Sequence, residues 1–197
     1  MRIDASGSVV INGTVTANGG NGVTSGNGAT GGGSGGAIYI TCVTFGGAST
    51  GILRVNGGNA GSGFSCGLAG GGGGGRISVM YQSLSGTPGV IFSANCGLGK
   101  YPVDVNAPTE SFAPQVGTLY FPTPELLGSV LAAWGGVGSG LNGYFVFQST
   151  NVWAPTNLLV LTNSTLGIME SSSFQITNDL TVITGGLVVV GHATLAC

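Results

Sequence analysis

The chain has 197 residues, 41 of them glycine, with charged residues at only 5% and a formal net charge of −2. That length allows one or two domains with a sizeable core, and an apolar content of 42% excludes a disordered polar linker. An average soluble domain is about 25% charged; this one has no electrostatic footprint for nucleic acid or an anionic membrane, and no apolar run reaches the ~18 residues of a membrane span.

Collagen is excluded as well, because glycine comes in clumps and proline numbers only 7. With so little charge to oppose association, the surface is expected to self-associate, to be covered by partners, or to be kept soluble by glycans and hydroxyls. The four cysteines, Cys42, Cys66, Cys96 and Cys197, show no zinc spacing. Their even number in a Ser/Thr/Asn/Gly-rich chain fits an oxidising compartment.

In chain order, Met1-Arg2-Ile3-Asp4 leads straight into a strand pattern, without a signal peptide ahead of it. The expectation is an excised piece of something longer. Arg2-Ile3 resembles Arg76-Ile77, shifted by a few residues. Thr14 to Gly20 matches Leu53 to Gly58, with Asn18 and Asn56 38 residues apart. The clearest repeat follows: Gly31 to Ile40 reads GGGSGGAIYI, and Gly70 to Val79 reads GGGGGGRISV, 39 residues later. Asn56 and Asn95 keep the same step. A fixed long period marks stacked architecture.

Within each unit the apolar residues alternate at the strand period. Ile38, Ile40 and Cys42 share a face with Ile77, Val79 and Tyr81; Ala37, Tyr39 and Thr41 take the other with Arg76, Ser78 and Met80. Gly117 to Phe121 continues the series at an offset of 42 from Gly75 to Val79, after a longer loop from Lys100 to Gln115. Residues 1–121 therefore read as glycine-rich solenoid repeats. Residues 122–156 read as an irregular connection, in which Glu125 to Trp134 fits either a short helix or another strand pair. From 157 to 197 the step becomes 22: Asn157 to Thr162 aligns with Asp179 to Thr184, Leu166 and Ile168 with Val188 and Val190, and Phe174 with Ala196. The fold class expected is all-β: a right-handed parallel β-helix, or β-solenoid, of 39-residue units followed by ~22-residue rungs.

The glycine runs have a mechanical reading. Where two backbones nearly touch, only glycine fits, because any Cβ would clash. Stacked runs would then touch backbone to backbone through weak Cα–H···O contacts. Neither run precedes a helix or carries the lysine of a phosphate cradle. Asn18, Asn56 and Asn95, each closing a strand, suit turns and can form an Asn ladder along the axis.

No catalytic, cofactor or metal residues are assigned. Asp4, Asp104, Glu110, Glu125, Glu170 and Asp179 lack the clustering that a polysaccharide hydrolase or lyase needs. His192, in Gly-His-Ala, reads as a turn residue. Threonines on strands do not repeat at one register, since Thr41 maps to Met80, which argues against an ice-binding face. Asn12-Gly13-Thr14 and Asn163-Ser164-Thr165 are glycosylation sequons, so Asn12 and Asn163 are acceptors in a secreted chain. Cys66, in the loop leaving the turn next to Cys96, is expected to form a disulfide with it.

The strings GGGSGGAIYI, GILRVNGGNAG, GGGGGGRISVMY, GTLYF and LTVITGGLVVVGHATL resemble the glycine-rich β-solenoid regions of very large secreted or surface adhesin-like proteins of microbes and protists. Phage tail adhesins with polyglycine sheets are a weaker likeness. The resemblance implies an extracellular or cell-surface location, an elongated shape and a structural or adhesive role. It implies self-association or neighbouring repeats of the same long chain as partners, with glycans as a further class. A glycan-binding module would use the loops 59–69 and 99–116 and aromatics such as Tyr39, Tyr101 and Trp153. The remaining alternatives are a carbohydrate-active β-helix enzyme and an ice-binding protein.

Overall fold

The computed structural model describes residues 1–25, 28–61, 69–99, 116–123, 126, 130–133, 143–147, 152–153, 157–160, 165–168, 173–176, 179–182, 187–190 and 194–196. They are mostly strand and form an all-β, parallel architecture with almost no helix.

Three strands open each of the first three units. Unit 1 has β1 (Arg2–Asp4), β2 (Ser8–Val10) and β3 (Thr14–Thr16). A two-stranded antiparallel pair follows, β4 (Thr24–Ser25) with β5 (Gly28–Ala29). Unit 2 has β6 (Ala37–Thr41), β7 (Thr44–Gly46) and β8 (Ile52–Arg54), and unit 3 has β9 (Arg76–Met80), β10 (Ser83–Leu84) and β11 (Ile91–Ser93). Each strand pairs in parallel with its equivalent in the next unit. Ile38 lies opposite Ile77 and Ile40 opposite Val79, as the 39-residue repeat requires. Arg2 falls opposite Tyr39 and so at the register of Ser78, two residues along from Arg76. A shift of two keeps every side chain on its own face, whereas a shift of one would turn Ile3 outward.

The chain continues through β12 (Thr118–Phe121), β13 (Val130–Ala133), β14 (Gly143–Phe147), β15 (Val152–Trp153), β16 (Asn157–Val160), β17 (Thr165–Ile168), β18 (Ser173–Gln175), β19 (Asp179–Val182), β20 (Leu187–Val190) and β21 (Thr194–Ala196). Thr118 lies opposite Arg76, the expected offset of 42, and Leu158 lies opposite Leu180, the expected step of 22. Phe174 pairs with Leu195 rather than Ala196, so this sheet steps by 21 where its neighbours step by 22.

The segment 122–156, read from sequence as an irregular connection, carries β13, β14 and β15. Within 125–134 the strand reading prevails at Val130–Ala133. A single window of short apolar residues carries too little periodicity to separate the two.

The sheets do not merge into one. A seven-stranded sheet, β1-β6-β9-β12-β14-β17-β20, runs through the whole series. The three-stranded sheets divide into an amino-terminal set, β2-β7-β10 and β3-β8-β11, and a carboxy-terminal set, β13-β16-β19 and β15-β18-β21.

The core follows from the alternation. Ile38, Ile40, Ile77, Val79, Leu119 and Phe121 are each no more than 1% exposed and belong to one cluster. Phe45 and Phe92 join them, and with Phe121 form a row of rings from three successive units, with centroids 6.4 and 5.0 Å apart. The second contact is edge-to-face, a preferred aromatic geometry. Cys42 and Tyr81 are buried on the same side.

Candidate functional site

Between the third strand of one unit and the first strand of the next, the chain runs out and back. The outbound legs begin at Asn18, Asn56 and Asn95; the described return legs are the glycine runs 31–36 and 70–75. Legs of opposite direction alternate. Gly33 and Gly36 donate to the carbonyls of Gly20 and Ala17, Gly72 and Gly75 to those of Gly58 and Val55. The next outbound leg closes on the same return leg: Gly58 donates to Gly33, Gly61 to Thr30 and Gly97 to Gly72, at 2.7–3.0 Å.

Along the outbound leg of unit 2 the bonding direction repeats every three residues. Asn56 and Asn59 donate their backbone N–H groups to the Oδ1 atoms of Asn18 and Asn21, both at 2.8 Å. Gly57 and Ala60 donate forward to the carbonyls of Asn95 and Leu98. Gly58 and Gly61 donate sideways to the return leg, as above. A period of three is that of the polyproline-II helix, and it lets one leg bond to three neighbours. The legs are thus joined by full N–H···O bonds, stronger than the Cα–H···O contacts expected from sequence.

This geometry explains the glycine. A Cβ on Gly58 would overlap the carbonyl of Gly20, and one on Gly97 would overlap that of Gly58. The obstacle in each case is backbone, which has nowhere to move.

The three ladder asparagines are brought together by the stack, although not amide to amide. Asn18 Oδ1 accepts from Asn56 N–H, and Asn56 Oδ1 accepts from Asn95 N–H at 2.9 Å and from Ser93 Oγ at 2.7 Å. Sequence reasoning missed the second row, in which Asn21 Oδ1 accepts from Asn59 and Asn59 Oδ1 from Leu98. The strings NGGN at 18–21 and 56–59 were its signal. Asn95 Oδ1, at the far end of the first row, is buried without a partner, as is Arg54 Nε.

Of the other singled-out residues, Asn12, Cys96 and Tyr39 are among those described. Asn12 is exposed, and its Oδ1 accepts from Ala48 N–H at 2.9 Å. Cys96 carries a free thiol, and Cys66, the partner expected for it, lies outside the described residues, as do Asn163, Tyr101 and His192. Burial pushes the Cys42 and Cys96 thiols above the ordinary thiol value. On the outer face of the seven-stranded sheet, Tyr39 is 38% exposed and the Arg2 guanidinium sits 5.3 Å from its ring centroid. Arg2 Nε also bonds Asp4 at 2.6 Å. That bond raises the arginine and lowers the carboxyl relative to their ordinary values.

Among the described residues no group of three or more His, Cys, Asp and Glu side chains is placed to hold a metal ion. No helix among them is long and apolar enough to cross a membrane. Comparison with family models, with curated proteins and with solved structures finds no match.

Proposed function

We propose that this chain is a right-handed parallel β-solenoid module with a structural role in a long extracellular surface or filament protein, acting without catalysis. The observation that supports this reading is the glycine lattice. Its legs spend their polar groups on one another: N–H groups of Asn56 through Gly58 bond to three different neighbouring legs. Such a cross-linked stack resists bending and shear between units, and the side chains that would build a reactive cleft are replaced by glycine.

The test is location and form. Antibodies against the chain, used for immunogold labelling of intact source cells, should decorate surface fibres or a coat. Label confined to the cytosol would contradict the reading.

A second reading, adhesin-type glycan binding, is favoured by one feature. Tyr39 stands exposed on a flat sheet with Arg2 against its ring, and Arg76 is exposed on the neighbouring strand. Aromatic rings and arginines on an open face suit sugar rings. A glycan array probed with the intact chain and with Tyr39→Ala separates the two readings: binding that the variant loses supports the second, and no binding by either leaves the first.

A further inference from the structure

In an Asn-Gly pair the following backbone nitrogen reaches the asparagine amide with no Cβ in the way. The sequence holds six such pairs, and four lie wholly among the described residues: Asn12-Gly13, Asn18-Gly19, Asn21-Gly22 and Asn56-Gly57.

The four asparagines are held alike. Each Oδ1 accepts a backbone N–H from the next unit, those of Ala48, Asn56, Asn59 and Asn95 in turn, at 2.8–2.9 Å. The four glycines are not. Gly19, Gly22 and Gly57 donate their N–H groups to the carbonyls of Asn56, Asn59 and Asn95 at 2.7–2.8 Å. A Cβ on any of the three would overlap a backbone carbonyl. The Gly13 N–H has no acceptor among the described residues, and a Cβ there would meet nothing within 4 Å. Asn12 and Gly13 are both exposed. Gly51, which precedes Ile52 as Gly13 precedes Thr14, donates to Ala48 within its own turn. The N–H at this position is therefore not one that stacked units exchange.

We propose that Asn12 is a site of spontaneous modification, at which asparagine becomes aspartate or isoaspartate while the Asn-Gly pairs of the legs stay intact. The co-reactant is water. The Gly13 nitrogen gives up its proton and attacks Asn12 Cγ. Nδ2 leaves as ammonia, and a five-membered succinimide closes. Water then opens the ring. Breaking the bond from nitrogen to Cγ gives aspartate. Breaking the bond from nitrogen to the Asn12 backbone carbonyl carbon gives isoaspartate, which carries one extra main-chain atom. The sum is asparagine plus water going to acid plus ammonia, with no oxidant or reductant.

Two features of the site bear on the step. The Ala48 N–H points at the oxygen on which charge collects as the ring closes, and a donor already in place there lowers the barrier. That feature is common to all four pairs. The second separates them: a hydrogen bond that holds the protonated form opposes ionisation at Gly19, Gly22 and Gly57, and none does so at Gly13.

The products change the corner between β2 and β3. Aspartate keeps an oxygen for Ala48 and adds a negative charge to a chain of net −2. Isoaspartate lengthens the link between the buried Ile11 and β3. Nδ2 is also the atom that a glycan on this sequon would use, so the converted chain has lost its acceptor. The proposal rests on the hydrogen bonds of the fold and not on the extracellular reading.

The test incubates the intact, folded chain at mildly alkaline pH and maps its peptides by mass spectrometry, with a separation that resolves isoaspartate from aspartate. Asn12 should convert at least about tenfold faster than Asn18, Asn21 or Asn56. In urea the four should convert at similar rates. Gly13→Ala should slow Asn12 at least about tenfold, because its Cβ hinders ring closure, and should leave the melting temperature unchanged. Conversion of Asn12 no faster than that of the leg pairs in the folded chain would overturn the proposal. So would an unchanged rate at Asn12 in a folded Gly13→Ala chain. The comparison of the four pairs needs no variant, so it decides the matter even if Gly13→Ala folds poorly.

Discussion

Asn56 Oδ1 receives the backbone N–H of Asn95 at 2.9 Å, from a residue 39 positions further along the chain. The same oxygen receives Ser93 Oγ at 2.7 Å. One short side chain therefore ties the outbound legs of two units, and both of its donors sit on residues at most 8% exposed.

Replacing Asn56 by Ala leaves two buried donors without an acceptor. Each orphaned group costs about 1–3 kcal/mol, so Asn56→Ala is expected to destabilise by about 2–6 kcal/mol. Asn18→Ala removes one bond at an exposed residue and should cost less, about 1 kcal/mol. Urea denaturation of the two variants checks the order; equal midpoints would remove the ladder's energetic role.

A glycine pair inside one run makes a sharper comparison. A Cβ on Gly72 would overlap the Gly33 carbonyl and reach Ser34 N at 2.9 Å, while one on Gly70 meets nothing within 4 Å. Overpacking costs about 1–3 kcal/mol where side chains can adjust, and backbone cannot adjust as they do. Gly72→Ala should therefore lose at least ~3 kcal/mol, while Gly70→Ala should be neutral or gain up to ~1 kcal/mol by restricting the unfolded chain. Thermal melts that rank the two the other way would contradict the lattice.

Phe92 is 2% exposed and stands between Phe45 and Phe121, so it links three units through the core. Phe92→Ala should cost about 3–5 kcal/mol, with Phe92→Leu losing clearly less. Chemical denaturation measures both.

The thiols of Cys42, which is buried, and Cys96, which is half-buried, set an alkaline limit. Cys42 and Cys96 have values raised by burial, so the folded state holds these protons more tightly than the unfolded chain does. Their contribution to stability is full below the ordinary thiol value, ~8.5, and is lost as pH rises through the raised folded values. Unfolding midpoints should hold level up to that pH and fall above it. Alkylation of Cys42 at pH 8 should lag far behind that in the urea-unfolded chain; equal rates at this thiol would contradict its burial.

Much of the fold was legible in the sequence. The alternation in AIYIT and RISVM gave both faces, and the steps of 39, 42 and 22 gave the registers of Ile38 with Ile77, Arg76 with Thr118 and Leu158 with Leu180. The wiring of the legs was not legible, because a glycine run carries no side-chain pattern from which a three-residue bonding period could be read. Only Asn21 and Asn59 marked that period, and they were passed over in favour of the strand-ending Asn18, Asn56 and Asn95. The one-residue slip at Phe174 was lost for a related reason: a three-residue strand offers too few positions to fix its register. Of the residues singled out on other grounds, Tyr39 lies on β6, while Asn12 and Cys96 lie in the connections after β2 and β11.

The central claim is that the glycine legs are hydrogen-bonded to one another across units and are not loops that happen to be rich in glycine. Hydrogen exchange read at single amides tests it most directly. The N–H groups of Gly58, Gly61, Gly72, Gly75 and Gly97 donate to carbonyls of neighbouring legs. They should exchange as slowly as those of Ile38, Ile40 and Val79 in the central strands. Exchange of the five leg amides at the rate of free peptide, beside protected strands, would contradict the account.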